Sequence, residues 1–105
     1  MASADILRAA RARIEDPKNW TTHTTARNDL GEPCNAMADE AVCWCGYGAL
    51  VAESRCFNCD QLLRKAASDL FNGASIGSVN DKRGHEAMLA VFDAAIAAAE
   101  AEAGR

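Results

Sequence analysis

Aromatic residues are scarce in this chain of 105 residues, which has two tryptophans, one tyrosine and three phenylalanines. Large apolar side chains are scarce too. Isoleucine, leucine, valine and phenylalanine together number 18, below the ~20% of a chain at which high net charge would point to disorder. The net charge is only -4, too little for self-repulsion to hold the chain open. Half of the sequence still counts as hydrophobic because 23 residues are alanine. The expectation is one thin-cored globular domain spanning residues 1–105, with alanine faces that let helices approach closely. Thin cores recruit help, so a metal ion or a homodimer partner is a fair expectation.

Other absences exclude function classes. No apolar run approaches the ~20 residues of a membrane span. The N-terminus lacks the apolar core and small-residue cleavage site of a signal peptide, which makes the expected location cytoplasmic, with reduced thiols. Five cysteines, an odd count, fit a secreted disulfide framework poorly. The acidic balance argues against nucleic acid as a partner, because phosphate neutralisation needs a concentrated basic face. Arg8, Arg11 and Arg13 form a local positive stripe, read as a solvated face that pairs with acidic helices. No nucleophile elbow, phosphate loop or metalloprotease motif is present. Gly46-Tyr47-Gly48-Ala49 lacks the third glycine and preceding strand of a dinucleotide fingerprint.

Apolar spacing supplies the elements. Ile6, Leu7, Ala10 and Ile14 mark a first helix, stopped at Asp16-Pro17 because proline disfavours helical geometry in the residue before it. The threonine-rich run Trp20 to Arg27 has strand propensity. Turn residues Asn28 to Gly31 and a return through Glu32 to Asn35 suggest a hairpin-like excursion, with a structured loop as the alternative. A second helix is expected from Asp39 to about Glu53. A third carries Leu62, Leu63, Ala66, Ala67, Leu70 and Phe71, with Asn58 and Gln61 as a capping-box variant and Asn72-Gly73 as its stop. Ile76 and Val79 are read as tucked inward. The last helix presents Met88, Leu89, Phe92, Ala95, Ile96 and Ala99. The expected fold class is therefore all-α or nearly so: a compact four-helix domain with the excursion between helices 1 and 2.

Two constellations carry chemistry. Cys43, Cys45, Cys56 and Cys59 are candidate zinc ligands, since two close pairs from separate segments are the usual source of a tetrahedral site. Cys56-x-x-Cys59 has knuckle spacing. Cys43-x-Cys45 does not fit on a helix, where i and i+2 side chains diverge by roughly 200°, although Cys34 or His23 are possible substitutes. The competing reading is free cysteine packed as a small hydrophobe, with no cofactor. A redox role for Cys56 and Cys59 would call for a thioredoxin-like βαβ setting with the pair at a helix N-terminus, and the flanking sequence lacks that pattern.

The second constellation is Asn80-Asp81-Lys82-Arg83-Gly84-His85-Glu86, a polar helix entrance. Such an end favours anions, and His85 with Glu86 suits acid–base work. Trp20 and Arg27 complete a candidate binding site with Asn80, Asp81, His85 and Glu86. The plainer reading makes Asn80 or Asp81 a helix cap and Gly84 a turn residue. His23, among threonines, reads as an exposed strand residue.

The order of short motifs carries a resemblance: Leu7-x-x-Ala10-Arg11, Asp16-Pro17-x-x-Trp20, Ala26-Arg27-x-x-x-Gly31, Ala41-Val42-x-Trp44-Cys45-x-x-Gly48-Ala49-Leu50, Asn80-Asp81 and Val91-Phe92-Asp93-x-Ala95-Ile96. Together they resemble a family of small uncharacterised proteins from bacteria and their bacteriophages, over nearly the whole chain. The resemblance implies a cytoplasmic or phage-encoded origin and a mostly helical fold, and brings no catalytic residues. In that family's pattern a cysteine stands at the position of Cys45 without fixed partners at 43, 56 and 59, which implies that a metal site here would be particular to this protein. The function expected is a non-enzymatic binding or accessory protein acting on an unknown protein partner. The alternatives are a zinc-stabilised interaction module, and a small-ligand binder or enzyme at Asn80–Glu86.

Overall fold

Alanine at the contact faces lets the helices of this protein meet with little side-chain bulk between them. The computed structural model describes residues 2–104. Helix α1 (Ser3–Ile14) ends before a single 3-10 turn, Pro17–Asn19, capped by the Asp16 side chain. Helix α2 spans Gly46–Glu53, α3 spans Phe57–Leu70, and α5 spans His85–Ala103. Between α3 and α5 lies a short turn of helix, α4 (Ile76–Ser78). It widens into a π-helical turn over Val79–Arg83.

Helix α5 is the centre of the packing, with α1 and α3 both laid against it. Leu7, Ala10 and Ile14 of α1, Leu63 and Ala67 of α3, and Met88, Val91, Phe92 and Ala95 of α5 are fully buried together. Ala49 and Leu50 add α2 to the same core. The arginines of α1 point away from it and pair with acidic residues, Arg8 with Glu100, Arg11 with Asp93 at 2.7 Å, and Arg13 with Glu53. The two exposed pairs, Arg8–Glu100 and Arg11–Asp93, contribute at most about 1 kcal/mol each.

The all-α, four-helix expectation is wrong. Among the described residues five helices accompany a three-stranded antiparallel sheet of order β2-β1-β3, which makes the fold mixed. Its strands are β1 (Ala26–Arg27), β2 (Pro33–Cys34) and β3 (Cys43–Trp44). The first two form the expected hairpin, with Ala26 opposite Cys34 and Arg27 opposite Pro33. The third strand was hidden in what reads as the first turns of a helix starting near Asp39. Two local forces hold it extended. Cys43 and Trp44 pair with Arg27 and Ala26, and the Cys45 Sγ accepts the Gly48 N–H at 3.2 Å, so a sulfur caps α2 in place of the usual oxygen.

Glycine is needed at 48 for space. A Cβ there would be driven into the Thr25 backbone carbonyl, so the close approach of α2 to the strand loop depends on its absence. The threonine-rich run is a loop between Trp20, which bridges to Trp44, and its last two residues on β1. Within it His23 adopts a left-handed φ of 65°.

Candidate functional site

Asn80 lies in the wide helical turn and is 1% exposed. An amide buried so deeply costs free energy unless each of its atoms is bonded. Its Oδ1 accepts from the Trp20 indole N–H at 2.8 Å and from the Gly46 backbone N–H at 2.9 Å. Its Nδ2 donates to the Thr21 carbonyl and to Asp81 Oδ1, both at 3.0 Å. Asp81 in turn accepts the His23 backbone N–H at 3.0 Å, which secures the left-handed residue. Burial pushes the Asp81 carboxyl up, but the bonds from the His23 N–H and Asn80 and the nearby His23 charge outweigh it, leaving the group below the usual carboxylate range.

Four of the sequence-selected residues therefore meet. Trp20, Asn80 and Asp81 share this network, and the His85 ring stands edge-on to Trp20 with centroids 5.3 Å apart. His85 Nε2 lies 2.6 Å from the Ile14 carbonyl. Arg27 is placed differently, on β1, where it donates to Thr21 Oγ1, the Gly31 carbonyl and the Thr22 carbonyl. Glu86 is exposed in the first turn of α5. Neither Asn80 nor Asp81 caps that helix, whose N-cap is Gly84 at φ 97° with no side-chain bond. The network is closed on itself: among the described residues no buried side-chain nitrogen or oxygen lacks a partner.

The four cysteines proposed as metal ligands do not gather. Cys43 lies on β3, and Cys45 caps α2 with its thiol pushed up by burial and held neutral. Cys56 and Cys59 are joined in a disulfide at the start of α3. Among the described residues, no group of three or more His, Cys, Asp or Glu side chains converges as a metal ion requires. Cys56 is the N-cap of α3, and its Sγ accepts the Cys59 N–H at 3.1 Å. The pair thus sits at a helix N-terminus after all. Asn58, expected as the cap, instead donates to Ser3 Oγ and Glu102.

Beside Cys56 lies a groove of about 470 Å³ between the β2–β3 loop on one side and α2 and the start of α3 on the other. Met37, Tyr47, Val51, Arg55 and Phe57 are among the residues lining it. Phe57 is 76% exposed and Met37 58% exposed. The placement of Met37 is fixed from below. Asn35 Oδ1 accepts the Met37 N–H at 2.8 Å, and the Trp44 indole donates to the Ala36 carbonyl at 3.0 Å, pinning the loop that carries Met37. Asp60 on the groove wall is paired with Arg64, whereas Arg55 has no carboxylate within 4 Å among the described residues.

This groove escapes sequence reasoning because its walls come from segments far apart in the chain. One signal was present: Phe57 lies off the apolar stripe of its own helix set by Leu62, Leu63, Ala66 and Ala67.

Among the described residues no helix is long and apolar enough to cross a membrane. No curated protein and no solved structure matches the chain. Residues 1–98 match the model of a family of unknown function, DUF6197, and the chain belongs to that family.

Proposed function

We propose that this domain is a small binding protein that takes an extended segment of a partner protein into the groove between the β2–β3 loop and the α2–α3 junction. The observation that carries this reading is the exposure of Phe57 and Met37 at the rim of an open groove. Apolar side chains that line a groove yet stay largely exposed serve a surface larger than a small metabolite, which would be enclosed instead. A rigid loop beneath Met37 lowers the ordering cost of binding. The chemistry of the groove selects its occupant: an apolar side chain against Phe57 and Met37, followed by a carboxylate within reach of Arg55.

Selection from a phage-displayed library of random peptides tests this. Enriched sequences are expected to share an acidic residue next to a large apolar one. In amide spectra of the labelled protein they are expected to shift Met37, Tyr47, Val51 and Phe57. Enrichment without such a pattern, or shifts confined to another face, would overturn the reading.

A further inference from the structure

We infer that Cys56 and Cys59 form a thiol–disulfide exchange centre whose substrate is a cysteine-bearing segment docked in the adjoining groove, an inference that rests on the groove being a peptide site. Three observations point to exchange and away from stapling. First, Cys56 is the N-cap of α3 and Cys59 lies in its first turn, three residues on, so the bond ties no two elements together. Second, the sulfurs differ in access. Cys56 is partly exposed and lines the groove, whereas Cys59 is 0% exposed behind it.

Third, both oxidation states find partners. In the disulfide neither sulfur carries a proton. On reduction the Cys59 thiol has an acceptor in the Ser3 carbonyl, 3.7 Å away. A Cys56 thiolate would have a donor in the Ser3 hydroxyl at 3.8 Å and another in the Cys59 N–H, at the positive end of a helix of 14 residues. Placement at a helix end is the setting in which thiolates are favoured, and the buried neighbour is positioned to resolve what the exposed one captures.

One thiolate of a dithiol segment attacks Cys56 Sγ, the bond to Cys59 breaks, and Cys59 leaves with the electron pair and takes up a proton. The second substrate thiolate then attacks its own partner sulfur in the mixed disulfide, and Cys56 leaves as thiolate. Two electrons pass from the substrate dithiol to the protein disulfide; of the two protons shed by the substrate thiols, one is taken up by Cys59 and the other goes to solvent. The reverse sequence reduces a substrate disulfide.

The test runs the reverse direction with glutathione disulfide on the fully reduced chain, adducts being located by peptide mass spectrometry. In Cys59→Ser, one glutathione is expected to accumulate on Cys56 at least about tenfold faster than on Cys34 or Cys43, which serve as internal references. In the wild type the Cys56 adduct, whose formation releases one reduced glutathione, is expected to vanish as Cys59 displaces the second. Equal labelling of Cys34, Cys43 and Cys56, or a Cys56 adduct that persists in the wild type, overturns the inference. Should Cys59→Ser not fold, the wild-type time course decides alone: the internal disulfide forms before any adduct on Cys34 or Cys43, or the inference fails. Glutathione is small enough to need no groove, so a selective Cys56 reaction together with a failed peptide selection would sink the peptide site and leave the exchange chemistry standing.

Discussion

The indole N–H of Trp20 donates to the side-chain carbonyl of Asn80 at 2.8 Å, across 60 positions of sequence. That bond joins the loop after α1 to the wide turn before α5. The same carbonyl also receives the first N–H of α2. One buried amide thus fixes three segments. Asn80→Ala removes all four of its bonds and leaves the buried Gly46 N–H and the partly buried Trp20 indole N–H without acceptors. The expected cost is about 3 kcal/mol, read as a lowered urea midpoint. In a double-mutant cycle with Trp20→Phe the two losses are expected to be non-additive by about 1 kcal/mol; simple additivity would mean that the bond does not act as a unit.

Acid should weaken the fold through Asp81. Its folded-state pKa is depressed, so its contribution is fully present above the unfolded-state value of about 3.9 and is lost as pH falls through the folded value. Urea midpoints of the wild type are expected to decline from about pH 5 downward. Asp81→Asn is expected to flatten part of that decline, because the neutral amide has no proton to gain. An unchanged slope would assign the acid sensitivity to other carboxylates.

The two glycines of α2 should respond differently to a methyl group. At Gly48 the obstacle is the Thr25 backbone, which cannot give way without moving β1. At Gly46 it is the flexible side chain of Met88. Gly48→Ala is expected to cost about 3 kcal/mol and Gly46→Ala about 1 kcal/mol. Thermal melts of the two variants compare them directly, and equal costs would show that α2 is free to shift as a body.

Reduction of the Cys56–Cys59 bond is expected to leave the domain folded. By the chain-entropy relation, closing so short a loop stabilises by about 2 kcal/mol at most, against nearly 5 for a loop of about 100 residues. Denaturation with and without a thiol reductant measures the difference. A collapse of the fold on reduction would make the bond a structural staple.

Legibility followed the period of the side chains. Met88, Phe92, Ala95 and Ala99 announce α5 because burial on a long helix repeats. Leu62, Leu63, Ala66 and Ala67 do the same for α3, and Ile76 and Val79 do turn inward. The start of α2 was illegible because a two-residue strand carries no period, and because cysteine as a cap looks like cysteine in a core. The meeting of Trp20 with Asn80, Asp81 and His85 was suggested by their chemistry alone. That Asn80 would be the buried hub, and no cap, depended on tertiary contacts from both sides. The groove depended on contacts too, since Met37 and Phe57 become neighbours only after the sheet and α2 are in place.

The central position of α5 bears on how the protein comes off the ribosome. The apolar stripe of α3 packs chiefly against a helix synthesised after it, so a nascent chain that has emerged only as far as Leu70 leaves those leucines uncovered. Productive folding of α3 waits until α5, through Ala99, has cleared the exit tunnel and can cover that stripe.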